Sequence, residues 1–311
     1  MQYQDSKRDY LWMFLKGAGM GAADVVPGVS GGTIAFITGI YARFLAAIKS
    51  VDLEALRLLK QQGVKATWQH IDGNFLTAVF SGLIVSAASL AKVITYLLAN
   101  YQLLVWSFFF GLIVASFIHV AKQVTRWRLV NISACVIGAV IAFIITSLSP
   151  AEAQASPMMF FLSGTIAICA MILPGISGSF ILLLLGMYGH VLLAVTQLQI
   201  LLIGLFLLGC VVGLMSFSRL LSWLFKHYEQ VTFALLSGFL IGSLNLLWPW
   251  KQVLTTYVNS SGVEKPLTQA NIWPWQYSEI YGQAPQTLAC VLLAVAGLAL
   301  ILAIEKISQR Y

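Results

Sequence analysis

The chain has little charge. Only 9% of its 311 residues are Asp, Glu, Lys or Arg, against about 25% in an ordinary soluble domain. That deficit excludes a soluble globular enzyme, a disordered protein and a nucleic-acid binder. Acids are scarcer than bases, 11 against 18. The bases are spread over short loops, so the net charge of +7 builds no nucleic-acid patch. Cysteine is also sparse. Cys135, Cys169, Cys210 and Cys290 all lie in apolar runs. They read as small core hydrophobes, neither a disulfide framework nor a metal cluster. No Gly-x-x-x-x-Gly-Lys phosphate loop is present, which argues against direct ATP use. No cofactor and no metal are expected. Residues 1–10 are polar and the run after them holds Lys16, so a signal peptide is not expected.

Hydrophobic residues, by contrast, make up 59% of the chain, and mean hydropathy is +0.86. The fold class expected is an all-α polytopic membrane protein. Six runs are long enough to span a bilayer: 75–98, 103–121, 130–148, 199–222, 231–248 and 287–304. Two further apolar stretches, 11–48 and 158–196, are too long for one helix, and each has a Pro-Gly break near its middle. Back-to-back proline and glycine end a helix. Each stretch is either a re-entrant hairpin or a pair of full spans.

Basic residues favour the hairpins without settling whether the stretches cross fully. With two hairpins, 15 of the 18 basic residues fall on one side: Lys7, Arg8, Lys16, Arg43, Lys49, Arg57, Lys60, Lys65, Lys122, Arg126, Arg128, Arg219, Lys226, Lys306 and Arg310. Lys251 and Lys265 fall on the other, and Lys92 lies within a span. Basic loops mark the cytoplasmic face. Both termini are therefore expected in the cytoplasm, with the chain in a bacterial inner membrane. Residues 49–73, with Leu53, Leu56, Leu59 and Val64 among charges, suggest a helix on the inner surface. The aromatic stretch 249–286 is expected to cap the outer face.

The two broken stretches are copies. Pro27, Gly28, Ser30, Gly31, Ile34, Gly39 and Tyr41 each recur 147 residues later, at Pro174, Gly175, Ser177, Gly178, Ile181, Gly186 and Tyr188. The following spans match at a spacing of 127, with Gly82, Tyr101 and Gly111 falling on Gly209, Tyr228 and Gly238, and Lys92 on Arg219. Two repeats follow, 1–150 and 151–311, in one integrated membrane domain. Each is one hairpin plus three spans. An odd number of spans inverts the second copy, which is the inverted-topology repeat of secondary transporters.

Irregular backbone at membrane depth must be buried in protein or line a wet cavity. Ser30 and Ser177 are placed to N-cap the half-helix after each break. The amides of Gly31, Gly32 and Thr33, and of Gly178, Ser179 and Phe180, are then expected to point free. A helix N-terminus with free amides is an anion site. Pro-Gly breaks that merely allow tight packing are the plainer alternative. Lys92 and Arg219 fit as cationic ligands that serve the site from opposite faces, or as side chains snorkelling to the interface. Arg43 and His190 occupy matching positions and fit a headgroup contact. Asp24, whose counterpart is Met171, fits a coupling proton or cation site, or an ion pair with Arg43 or Lys92. Gly17, Gly19 and Gly21 line a face that suits a lateral slot for a lipid tail.

The paired sequences PGVSGGTIAFITGIY and PGISGSFILLLLGMY resemble the bacterial polyprenyl-phosphate transporter family over nearly the whole chain. The resemblance implies translocation of undecaprenyl phosphate across the cytoplasmic membrane, which recycles the lipid carrier of cell-wall and surface-polymer synthesis. The partners implied are that lipid and the bilayer, with a proton or cation as possible driver. A transporter or channel for a small soluble anion would use the same half-helix logic. An intramembrane serine hydrolase is the third reading, since residues 28–32 fit a G-x-S-x-G pattern. The serine is duplicated and no histidine lies near it in sequence, so the chain is read as a non-enzyme.

Overall fold

The computed structural model describes residues 6–25, 30–148, 155–258 and 264–308. These form thirteen α-helices and one antiparallel two-stranded sheet. Pro27 and Gly28 of the first break lie outside the described residues.

The first stretch folds as α1 (Lys7–Asp24), α2 (Gly31–Ile37) and α3 (Tyr41–Lys49), and α4 (Leu53–His70) follows. α5 (Gly73–Asn100), α6 (Gln102–Ala121) and α7 (Leu129–Ser147) are the first three long helices. The second stretch folds as α8 (Pro157–Ile172), α9 (Gly178–Leu184) and α10 (Tyr188–Thr196). Then come α11 (Ile200–Leu247), strands β1 (Lys251–Val258) and β2 (Glu264–Asn271), α12 (Pro274–Tyr281) and α13 (Thr287–Ser308). Among the described residues four helices (α5, α6, α7 and α11) are long and apolar enough to cross a membrane, or up to six if each of two bent pairs is one span and not a re-entrant loop.

Three features depart from the sequence reading. First, each broken stretch has a second bend after the Pro-Gly break. α2 and α3 meet at 117°, and α9 and α10 at 107°. Gly39 (φ +74) and Gly186 (φ +66) hold these corners in the left-handed region, where a Cβ is penalised. Second, 219–230 is not an extended loop: α11 is two helical limbs that meet at a kink at Tyr228 (φ −137, ψ 45), inside that stretch. No glycine or proline stands between Leu214 and Ser237. Tyr101, which ends α5, has nearly the same conformation (φ −134, ψ 41). Third, 249–286 contains a β-hairpin before α12. The helix expected in 49–73 is α4. Non-helical Gly63 breaks it, and Leu53, Leu56, Leu59 and Val64 are exposed.

Lipid tails are as apolar as leucine, so membrane helices associate largely through close packing of small residues. Glycines do this here, and in register. Gly17 meets the Val79 carbonyl, and Gly164 meets that of Phe206. Gly82 meets Phe14, and Gly209 meets Phe161. Gly111 of α6 packs on Ala294 of α13, while Gly238 of α11 packs on Cys135 of α7. The third long helix of each half thus packs on the second long helix of the other half. Leu129, Ile200 and Leu288 stand exposed on the outer surface. Gly17 and Gly21 therefore form no slot for a lipid tail: the α5 backbone fills that face.

Candidate functional site

The two broken stretches meet inside the protein. Ser30 is extended (φ −116, ψ 133) and caps α2, its Oγ accepting from the Gly32 amide at 3.1 Å. The same hydroxyl donates to the Met171 carbonyl of α8 at 2.8 Å. Tyr41 Oη donates to the Ile172 carbonyl at 3.0 Å. The Gly175 amide, in the second break, donates to Thr33 Oγ1 at 2.9 Å. Gly175 holds φ +89 at that corner, and its neighbour Pro174 is buried. Gly32 lies so close that a Cβ there would sit 2.9 Å from both the Met171 and Ile172 carbonyl oxygens. The first half-helix tip is thus stitched to the end of α8 by side chains and backbone.

The free amides expected on the first tip are not free. Gly31 donates to Asp24 Oδ1 at 2.6 Å, Gly32 to Ser30 Oγ, and Thr33 to the Ser30 carbonyl at 2.9 Å. A carboxylate at the end of α1 occupies the place where an external anion was expected. Charge-assisted bonds of this type are among the stronger ones. Asp24 Oδ2 is buried without a hydrogen-bond partner among the described residues. Ser30, Gly31, Gly32 and Thr33 are all buried.

The second tip is different. Ser177 has the backbone of a cap (φ −98, ψ 133), but its Oγ pairs with Ser179 Oγ at 2.8 Å and caps nothing. Among the described residues the amides of Gly178, Ser179 and Phe180 have no hydrogen-bond partner. Gly178 is half-buried and Ser179 exposed. Met171 replaces Asp24 here and offers no carboxylate. Tyr188, the counterpart of Tyr41, is 42% exposed against 4%. One tip is closed and the other open.

The cations are placed less centrally. Lys92 on α5 and Arg219 on α11 have exposed side chains, and among the described residues neither bonds to a tip. Arg43 lies over the Phe75 ring at 4.5 Å and pairs with Asp72 at 2.7 and 3.1 Å, which ties α3 to the start of α5. His190 is half-buried on α10. Sequence reasoning passed over two half-buried lysines. Lys16 Nζ donates to the Thr38 carbonyl at the end of α2, at 2.8 Å, a favourable place for a cation. Lys251 donates to the Leu246 carbonyl and lies 5.0 Å from the Trp106 ring centre. Burial pushes its ammonium down to about 8. An ionisable residue in an apolar run was the available signal for Lys16; Lys251 gave none. Asn245 bonds Thr146 and Ser147 of α7. Neither Ser30 nor Ser177 has a histidine as hydrogen-bond partner among the described residues.

Long apolar helices, broken and bent half-helices and buried backbone sites between them define a polytopic α-helical membrane protein of transporter type. The chain belongs to the undecaprenyl phosphate translocase-like family, which it matches over residues 20–265. It is 47% identical over 302 residues to a polyprenyl-phosphate transporter of Vibrio cholerae, covering 97% of this chain and 98% of that one. A polyprenyl-phosphate transporter of Staphylococcus aureus is 31% identical over 261 residues, covering 78% and 88%. No solved structure matches.

Proposed function

We propose that this protein translocates undecaprenyl phosphate across the bacterial cytoplasmic membrane by alternating access. The two halves are inverted copies, their broken stretches are re-entrant, and the phosphate binds at the half-helix tips. The observation that carries this reading is the junction itself. Two duplicated, broken segments meet in the protein interior, one tip sealed and the other presenting three amides that have no partner among the described residues.

Helix directions support the inversion. Gly17 packs on Val79 and Gly21 on Leu83, so α1 and α5 run parallel. Thr165 Oγ1 reaches the Gly209 carbonyl and Cys169 Sγ that of Gly213, so α8 and the first limb of α11 also run parallel. Parallel neighbours require the chain to return between them, as a re-entrant α2–α3 or α9–α10 would. Gly238 packs on Cys135 and Gly242 on Ala139, while Asn245 bonds Thr146. The second limb of α11 therefore runs along α7. It is the copy of α6, and α6 and α7 are joined by only 122–128, so it runs opposite to its own copy. The Thr125 amide donates to Gln230 Oε1, which supports a shared side for 122–129 and 219–230, in keeping with their basic residues.

In this reading the open second tip faces outward and receives the phosphate head, while the prenyl tail stays in lipid. The first tip, held by Asp24, opens inward in the other state. Protonation of Asp24 would release the Gly31 amide, so Asp24 is the place for a coupling proton. Lys92 and Arg219 guide the headgroup near the two faces. The test is reconstitution in liposomes with labelled undecaprenyl phosphate in one leaflet. Protein-dependent exposure in the other leaflet is expected. No change in leaflet exposure would end the proposal, and uptake of inorganic phosphate in its place would favour a soluble-anion carrier.

A further inference from the structure

The cross-contacts between the halves are made once, although the residues that make them are present twice. Adding 147 turns Ser30 and Tyr41 into Ser177 and Tyr188. Subtracting 147 turns Met171 and Ile172 into Asp24 and Val25. In the structure Ser30 Oγ bonds the Met171 carbonyl and Tyr41 Oη bonds the Ile172 carbonyl. The mirrored bonds would run from Ser177 Oγ to the Asp24 carbonyl and from Tyr188 Oη to the Val25 carbonyl. Neither is formed. Ser177 pairs with Ser179 instead, and Tyr188 is exposed. A symmetric pair of copies would make each bond twice or not at all. We infer that Tyr41 with Ser30, and Tyr188 with Ser177, are alternate latches: one pair closes the first hairpin in this state, and the other closes the second hairpin in its mirror state. This inference rests on the inverted-repeat reading above.

The latches are not equal. The third bond, from the Gly175 amide to Thr33 Oγ1, has no mirror, because the counterpart of Thr33 is Phe180, which lacks a hydroxyl. The mirror state is therefore short by one hydrogen bond. One net bond corresponds to a preference of about fivefold for the present state. Adding a hydroxyl at position 180 should remove that preference, and removing the Tyr41 hydroxyl, which also strands the buried Ile172 carbonyl, should reverse it.

Ser179 reads out the state. It is exposed here, while its counterpart Gly32 is buried. A thiol is introduced by Ser179→Cys, and its labelling by a membrane-impermeant maleimide is followed in cells, with the unsubstituted protein as blank. Tyr41→Phe should slow labelling by about twofold or more, since it strands a buried carbonyl. Phe180→Thr should slow it to roughly 60% of the parent rate, as a fivefold preference becomes even. Combining Tyr41→Phe with Tyr188→Phe should restore the parent rate, because both states then lose one latch. Recovery in the double variant also excludes misfolding as the cause. Unchanged labelling in Tyr41→Phe, or a double variant as slow as the single, overturns the inference. Labelling needs no substrate. A protein that moves lipid but shows flat labelling refutes the latches alone, and one that labels as expected but moves no lipid refutes only the transport reading.

Discussion

Replacing Gly32 by alanine adds one methyl group at the tightest point between the halves. That methyl would lie 2.9 Å from two backbone carbonyl oxygens, of Met171 and Ile172, and 3.1 Å from Ser30 Oγ. Ordinary contact begins near 3.4 Å, so α2 must retreat from α8 by about half an ångström. Carbonyl oxygens at a helix end cannot turn aside as a flexible side chain would. Overpacking of this type costs about 1–3 kcal/mol. The retreat also stretches the Ser30 bond to Met171, whose net worth is about 1 kcal/mol. Together they come to about 2–4 kcal/mol, enough to empty the closed state of the first hairpin. Gly178→Ala meets the Ala167 carbonyl at 2.9 Å, inside its own half, and should loosen the second tip without parting the halves. Gly189→Ala meets nothing within 4 Å and serves as control. Leaflet exchange in liposomes should fall at least tenfold for Gly32→Ala and stay unchanged for Gly189→Ala. Parent rates in Gly32→Ala, with the protein correctly folded, would refute the claim that this junction is the moving part.

Three more outcomes are expected. Gly17→Val drives a side chain into the Val79 carbonyl; thermal unfolding in detergent should occur well below the parent temperature, whereas Gly204→Ala, with open space around it, should match the parent. Burial lowers the Lys251 ammonium from its ordinary 10.5 to about 8 in the folded protein, so between those values the unfolded chain binds more protons and stability rises with pH. The full displacement is worth about 3 kcal/mol at most; a stability profile over pH 7–10.5 should rise in the parent and flatten in Lys251→Met. Lys92→Ala and Arg219→Ala should each slow transport, with a larger effect at low salt, and a double variant with normal rates would remove both cations from the lipid path.

Much of the architecture was legible because it rests on local rules. Span positions follow from apolar run length, and the six runs fall in α5, α6, α7, the two limbs of α11, and α13. The Ser30 and Ser177 cap geometry follows from the short polar side chain after a break. The corners at Gly39 and Gly186 were within reach, since Gly-x-Tyr recurs in both copies, but a glycine in an apolar run reads equally as packing. The break between the two limbs of α11 was legible, but not its shortness: the basic residues of 219–230 suggested a loop, and the structure has a kink at Tyr228 alone. The site was legible as a location and not as a state. Nothing in Gly31, Gly32 and Thr33 says that their amides are already engaged, because the carboxylate that engages one of them lies seven residues away across a break. Lys92 and Arg219 drew notice as charges in apolar runs, yet only packing shows that those faces point outward.

Composition, run length and duplication by themselves determined the membrane class, the helices and the two copies, since each is a property of a segment and its solvent. The pairing of the third long helix of each half with the second of the other was decided only in three dimensions. So was the bond from Tyr41 to Ile172, and so was the choice of which of two equivalent tips is shut. Those depend on surfaces more than a hundred residues apart meeting at once, and a pattern that is nearly symmetric along the chain cannot say which of its two asymmetric arrangements it adopts.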